Sequence, residues 1–150
     1  MTQSPAPIDA YLSTDFIAFE DGAELSLRIG EHSVQFDALL LRHGVTSGVF
    51  ITGWNPYSQP QGAEMNNRAN ARMSSEFATL GLTALHHLGK SFDGIWIEEG
   101  FFVLGIGVSD GLMIASAYEQ HAIVVVSVGK RAELCLTDQT NRTIGPATTD

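Results

Sequence analysis

The stretch FITGWNPYSQPQGAEMNNRANARM, residues 50 to 73, runs from a strand through a proline-rich loop into the clearest helix of the sequence. Pro56 ends the strand, because proline cannot donate a ladder hydrogen bond and biases Asn55 toward extended or turn geometry. After the loop, apolar side chains recur at spacings of three and four, which predicts a helix over residues 63–80. Its apolar stripe consists of Met65, Ala69, Met73, Phe77 and Leu80.

Outward from this segment, alternating apolar residues predict strands on both sides. Residues 24–30 and 32–44 read as the two strands of a hairpin, with the turn at Gly30 and Glu31. Further along, residues 95–99 and 101–107 read as two strands separated by a tight turn at Gly100. The remaining predicted elements are a short helix over 7–13, a strand over 47–54, a short strand within 81–94 before a turn at Asp93 and Gly94, a helix over 111–120 with Ser109 or Asp110 as N-cap, and strands over 121–128 and 131–137.

Together these elements predict an α+β fold with a mostly antiparallel or mixed sheet of about six to seven strands and two to three helices. The 150 residues are enough for one domain with a substantial core, and no internal repeat divides them. We expect a single domain over residues 1–150, with its core at about 8–139 and loose termini at 1–7 and 140–150.

Composition excludes several classes of protein. A hydrophobic content of 44% with 17% charged residues is typical of an ordinary globular chain. The formal net charge of −9, with only eight Lys and Arg, argues against binding to a nucleic-acid backbone. No apolar run approaches the roughly 20 residues of a membrane span. The first residues lack the pattern of a secretory signal, and Cys135 has no second cysteine to pair with, so we expect a cytoplasmic protein.

Asparagines cluster where the predicted helix begins. Asn66 and Asn70 are four residues apart and therefore share one face of it. Asparagine is a poor residue for a helix interior, because its amide competes for backbone hydrogen bonds. These amides, together with Asn55 in the loop, either line a polar pocket or tie the loop to the sheet.

A second candidate is the segment DGIWIEEGFF, residues 93 to 102. On a strand, Trp96 and Glu98 point to the same side. A tryptophan beside a carboxylate can form a partly apolar wall that raises the pKa of the acid and suits it to general acid or base chemistry. The same pair can equally form a surface edge with the tryptophan covering the core.

Other motifs are weaker. The run GIGVSDG, residues 105 to 111, could present backbone amides to a phosphate, but it is not the standard dinucleotide fingerprint. His86 and His87 are adjacent, so on a strand they face opposite sides and do not readily share a metal. The sequence therefore predicts neither a metal site nor a cofactor.

Four segments in order resemble the bacterial domain-of-unknown-function family 3293: a Thr-x-x-Asn-Pro strand end, the acid and asparagine that open the next helix, DGIWIEEGFFVLGI and YEQHAIVV. The resemblance covers roughly residues 50–126. It maps onto Thr52, Asn55, Pro56, Glu64, Asn66, Asn70, Asp93, Gly94, Trp96, Glu98 and Gln120. This chain differs in Gly53, where the family prefers alanine, and in His121, where asparagine is more usual. The resemblance implies a small bacterial α+β protein with a shared polar site, and it brings no known activity.

Three classes of function remain open. The first is a binding module for a small polar ligand or a peptide, with candidate contacts Asn55, Glu64, Asn66, Asn70, Trp96, Glu98 and Gln120. The second is an enzyme with Glu98 or Glu64 as general acid or base, for which no nucleophile is evident. The third is a protein whose acidic surface binds or inhibits a partner, marked by clustering of Asp15, Glu20, Asp21, Glu24, Glu31 and Asp37.

Overall fold

The structure is a computed structural model and describes residues 6–138 and 143–144 of the chain. Within those residues lie eight strands and four α-helices. The strands are β1 Thr14–Glu20, β2 Ala23–Leu27, β3 Ser47–Ile51, β4 Thr83–Ser91, β5 Ile97–Leu104, β6 Ala122–Ser127, β7 Glu133–Leu136 and β8 Thr143–Ile144. The helices are α1 Ile8–Leu12, α2 Val34–Arg42, α3 Ala63–Thr79 and α4 Val108–Ala117. The termini predicted to be loose, 1–7 and 140–150, fall mostly outside the described residues.

The strands form one sheet in the order β2-β1-β4-β5-β3-β6-β7-β8. Each pair of neighbours in it is antiparallel. Strands β4 and β5 pair over eight positions, and in this register Gly89 lies opposite Glu98 while His87 lies opposite Gly100. The predicted α+β fold with a mostly antiparallel sheet is confirmed.

Helices cover both faces of the sheet. On one face α2 buries Phe36, Leu39 and Leu40 against the sheet. On the other face α3 contributes Met73 and Phe77, the buried part of the predicted apolar stripe. Each such side chain stabilises the fold by about 1.5–3 kcal/mol relative to an exposed one. Across the described ranges, no helix combines the length and the apolar character that crossing a membrane requires.

The predicted hairpin between residues 24–30 and 32–44 is wrong. Residues 34–42 form α2, whose N-cap Ser33 accepts a hydrogen bond from the Phe36 backbone N–H over 3.2 Å. The true hairpin joins β1 to β2 through Asp21 and Gly22, which both have positive φ, at 51° and 83°. Positive φ at both central residues is the geometry of a type I′ turn, for which Asp-Gly is a preferred sequence.

The turn predicted at Gly100 is also wrong, because Gly100 lies inside β5. A Cβ there would collide with the backbone oxygen of Ile51 and would lie 2.9 Å from the Thr52 Cβ. The glycine is therefore needed for a close approach, because the chain that leaves β3 passes over it. This crossing places the loop after β3 beside Glu98. Helix α4 also begins earlier than predicted, after the N-cap residue Gly107.

Candidate ligand-binding cavity

A cavity of about 260 Å³ lies between helix α1 and the central strands of the sheet. Its walls are mainly apolar, and its polar side chains include His87 on β4, Glu98 on β5 and Gln120 before β6. Trp96 stands at the edge with 39% of its surface exposed. The apolar and aromatic wall includes Ala10, Tyr11, Phe16, Phe50, Ala122 and Val124.

Glu98 is the carboxylate of this cavity. Desolvation by burial raises the pKa of the carboxyl above its usual value, and hydrogen bonding to Asn55 and Trp96 offsets part of that shift. The Asn55 side-chain amide donates to Glu98 Oε2 over 3.0 Å. Among the described residues that line the cavity there is no Lys or Arg, so the carboxylate has no cationic partner there.

His87 contributes a neutral imidazole. Burial lowers its pKa to about 4. Its Nδ1 lies 3.0 Å from the Ile17 carbonyl oxygen, which can only accept, so Nδ1 carries the proton and Nε2 is left as an acceptor. A Cβ on Gly89 would lie 3.5 Å from Nε2. Because Gly89 lies opposite Glu98, the imidazole acceptor and the carboxylate flank the space that the missing side chain leaves.

Tyr11 closes the cavity from α1. Burial raises the pKa of its phenol, and the nearby charge of Glu98 raises it further. The hydroxyl therefore stays protonated at neutral pH. It adds a hydrogen-bonding group to a wall that is otherwise formed by the apolar parts of α1 and β1.

The asparagine amides form a brace outside the cavity. Asn66 Oδ1 accepts from the Asn55 backbone N–H over 2.9 Å and from Gln61 Nε2 over 3.0 Å. Asn66 Nδ2 donates to Asn55 Oδ1 over 3.1 Å and to the Gln61 carbonyl over 3.2 Å. These four bonds use the full capacity of the Asn66 amide. Asn66 therefore holds Asn55 in place and has nothing left for a ligand.

The brace holds an unfavourable loop conformation. Asn55, Tyr57 and Ser58 have positive φ values of 48°, 51° and 61°. Such conformations cost about 1–3 kcal/mol each for residues other than glycine and persist only where the surroundings enforce them. The Gln61 backbone N–H also donates to Asn55 Oδ1, over 2.9 Å. The loop is thus fixed so that the Asn55 amide N–H points at Glu98.

Asn70 fastens the same loop to the sheet. Its Oδ1 accepts from the Gly53 backbone N–H over 2.8 Å, and its Nδ2 donates to the Glu99 carbonyl over 2.9 Å. Gly53 is closely packed against α3, since a Cβ there would lie 3.2 Å from the Ala69 Cβ. Asn70 does not line the cavity, and its two contacts match the structural interpretation of the asparagines.

The two other candidate residues have different surroundings. Gln120 lines the cavity and donates from Nε2 to the Trp54 carbonyl over 2.9 Å. Glu64 lies in the first turn of α3 with 81% of its side chain exposed, 3.8 Å from Arg68. The structure thus brings Trp96, Glu98 and Gln120 to the cavity, places the asparagines behind Glu98 and leaves Glu64 outside.

In the glycine-rich run at the start of α4, Gly111 serves packing. A Cβ on Gly111 would lie 3.2 Å from Ile123 Cδ1 and 3.7 Å from a Val49 methyl group. The absence of a side chain at Gly111 therefore lets α4 approach β3 and β6 closely. Among the described residues at the start of α4, no contact indicates a phosphate site.

Half of the acids considered for a protein interface are paired with bases. Asp15 bonds to Arg28 over 2.8 Å, Glu20 bonds to Arg42 over 2.8 Å and Asp37 contacts His32 over 2.6 Å. These pairs lie at or near the surface, where each contributes little to stability. Their charge is partly neutralised, which weakens the case for one continuous acidic face.

Sequence reasoning missed four residues that shape the cavity, namely Tyr11, Phe16, Phe50 and His87. A signal existed for His87, because Leu85, His87 and Gly89 occupy alternate positions of one strand and a histidine there shares the face of apolar and small residues. No comparable signal existed for Tyr11. Its position depends on how α1 folds back over the sheet.

Comparison with known proteins supports the resemblance seen in the sequence. Residues 51–123 match the family described as Protein of unknown function (DUF3293). The matched region contains Asn55, Asn66, Glu98 and Gln120, whereas Tyr11 lies before it. No curated protein and no solved structure matched the chain. The resemblance of the chain to the DUF3293 family is thus confirmed over residues 51–123, which are 73 of its 150 residues.

Proposed function

We propose that the protein binds a small molecule in this cavity, with the polar end of the ligand at Glu98 and its apolar body against Phe16 and Phe50. The observation that carries this proposal is a partly buried carboxylate, held by a dedicated amide brace, at the edge of an apolar cavity. Ligand sites typically combine apolar walls with a few fixed polar groups.

The brace is what makes Glu98 suitable for recognition. Asn66 is buried with 4% of its surface exposed, and it acts on Glu98 only through Asn55. A fixed carboxylate loses less entropy on binding than a mobile one, so more of the interaction contributes to affinity. The polar ligand expected from the sequence thus becomes a ligand that is polar at one end only.

The size of the cavity limits the ligand. An apolar cavity of about 150 Å³ in another protein binds benzene. A volume of about 260 Å³ has room for one substituted ring or a comparable aliphatic group. Benzyl alcohol, which has an aromatic body and one hydroxyl, is therefore a suitable neutral probe.

Thermal unfolding in the presence of benzyl alcohol tests the proposal. At ten times its dissociation constant, the probe would raise the free energy of unfolding by about 1.4 kcal/mol, or the midpoint by about 4 °C for a chain of this size. The Gly89→Val variant fills the space beside His87 and Glu98 and should lose this shift. Gly107→Ala, at a glycine with no atom within 4 Å of the added Cβ, is the matched control and should keep it. An equal shift in both variants would contradict the proposal.

Catalysis by Glu98 as general acid or base is the second candidate function. The raised pKa of its carboxyl favours this role, because perturbed carboxyl groups in cavities are frequent in catalytic sites. Glu64 lacks such burial. Turnover of p-nitrophenyl esters or glycosides that is lost in Glu98→Gln would support catalysis, whereas turnover unchanged in that variant would contradict it.

A further inference from the structure

The charges around the cavity are unbalanced. Glu98 is the only carboxylate among the described residues that line it, and no basic side chain there accompanies it. Surface acids such as Asp15 and Glu20 do have arginine partners. A buried charge normally needs a partner of opposite sign. The cavity thus offers a negative charge for which residues 6–138 supply no cation at this position.

Two hydrogen-bond acceptors flank the same small space. Glu98 Oε2 accepts one bond from Asn55, and the carboxylate has further capacity for donors. His87 Nε2 faces the position where Gly89 lacks a side chain, directly across from Glu98 in the β4–β5 register. A ligand group placed there meets acceptors on both sides, so it must bring several donors.

We propose, on the basis of the proposed function, that the polar end of the ligand is a primary ammonium group held between the Glu98 carboxylate and His87 Nε2, in the space beside Gly89. An ammonium group has several N–H donors and a positive charge, which match two acceptors, one of them a carboxylate with no Lys or Arg beside it among the described lining residues.

Protonation of the facing groups makes this binding depend on pH. Among the described residues, the titratable side chains that line the cavity are Glu98, His87 and Tyr11, and only the first two change charge below neutral pH. Protonation of Glu98 removes the charge that attracts the ammonium, and protonation of His87 removes its acceptor. The preference for an amine should therefore decrease as the pH falls from 7.5 toward 4.5.

Benzylamine and benzyl alcohol form a matched pair of probes, because they share the aromatic body and differ in the head group. We expect calorimetry at pH 7.5 to show benzylamine binding the wild type at least tenfold more tightly than benzyl alcohol. In Glu98→Gln, which keeps an acceptor and removes the charge, the two probes should bind about equally. In the wild type the ratio should shrink at pH 4.5, a result that does not depend on the variant folding.

The outcomes separate the two proposals. If benzyl alcohol binds in the cavity as tightly as benzylamine at pH 7.5, the ammonium inference fails and the proposed binding function stands. If the amine preference persists unchanged in Glu98→Gln and at pH 4.5, the ammonium binds elsewhere and the inference fails. If neither benzyl alcohol nor benzylamine binds, both the inference and the proposed function fail.

Discussion

The side-chain amide of Asn55 donates a hydrogen bond to Oε2 of Glu98 over 3.0 Å, joining the loop after β3 to strand β5. Asn55 can do so because Asn66 and Gln61 bond to its backbone N–H and its side-chain oxygen while it holds a left-handed conformation. The chain therefore uses a set of buried amides to fix one carboxylate. The same hydrogen bonds that stabilise the loop therefore position the carboxylate that we propose binds the ligand.

Replacing Asn66 should destabilise the protein strongly. Asn66→Ala removes four hydrogen bonds and leaves polar groups of Asn55 and Gln61 without partners, so we expect a loss of about 3 kcal/mol in the free energy of unfolding. Asn67→Ala changes the next residue, which is exposed, and should stabilise α3 slightly, by at most about 0.7 kcal/mol. Urea denaturation measures both. Equal effects of the two substitutions would show that the brace contributes nothing.

Glu98 should reduce stability at neutral pH. Its carboxyl has a raised pKa in the folded state, so the folded protein holds this proton more tightly than the unfolded chain does. Stability is then lost as pH rises from the unfolded pKa through the folded pKa. Glu98→Gln should be more stable than the wild type at pH 8, and the advantage should vanish near pH 4. Denaturation of both proteins across this pH range measures the difference in stability. A stability advantage of Glu98→Gln that grows toward low pH would contradict the raised pKa of Glu98.

His87 should have the opposite pH dependence. Burial lowers its pKa from 6.5 to about 4, so the unfolded chain binds the proton more readily. The stability that comes from the neutral His87 is fully present above pH 6.5 and is lost as pH falls toward 4, which is a change of about 3 kcal/mol in the free energy of unfolding. His87→Phe keeps an aromatic ring against Phe16 and Phe50 and should flatten the dependence between pH 4 and 6.5. A pH dependence in this variant as steep as that of the wild type would exclude the assignment to His87.

Two strand glycines should respond differently to the same substitution. Gly100→Ala places a Cβ against the backbone of Ile51 and Thr52, and we expect a loss of about 1–3 kcal/mol. Gly89→Ala places it at ordinary contact distance, 3.5 Å from His87 Nε2, and should be neutral or stabilising by up to about 1 kcal/mol. Chemical denaturation of the two variants side by side gives the comparison. Tolerance of alanine at position 100 would mean that the chain does not cross β5 as described.

Much of the fold was predictable because long periodic segments carry strong signals. Helix α3 follows from its stripe, and β6 and β7 follow from apolar runs with a turn between them. The region of α2 was ambiguous, because Val34, Phe36 and Leu40 fit a strand period. The spacing of Phe36, Leu39 and Leu40 fits a helix, and the N-cap Ser33 favours it. The capping side chain of Ser33 is thus the sequence signal that distinguishes the helix from a strand.

The candidate site was predictable only in part. The sequence placed Trp96 and Glu98 on one side of a strand, and both line the cavity. It could not show that Asn66 and Asn70 both bond to the loop after β3, or that Asn70 also bonds to the Glu99 carbonyl of β5, because these contacts depend on how the loop folds back on α3. Whether the hydrogen-bonding groups of an amide are all used within the protein depends on tertiary contacts. Sequence spacing alone therefore does not separate an amide that binds a ligand from one that binds its own chain.

The two tryptophans provide the most direct test of the binding site. Trp96 lines the cavity edge, whereas the buried Trp54 Nε1 has no hydrogen-bond partner within the described part of the chain and lies outside the lining. In a nitrogen-15 NMR titration with benzyl alcohol, the indole N–H signal of Trp96 should shift in a saturable way while that of Trp54 stays in place. A titration in which neither signal moves, or only that of Trp54 does, would contradict binding at Glu98.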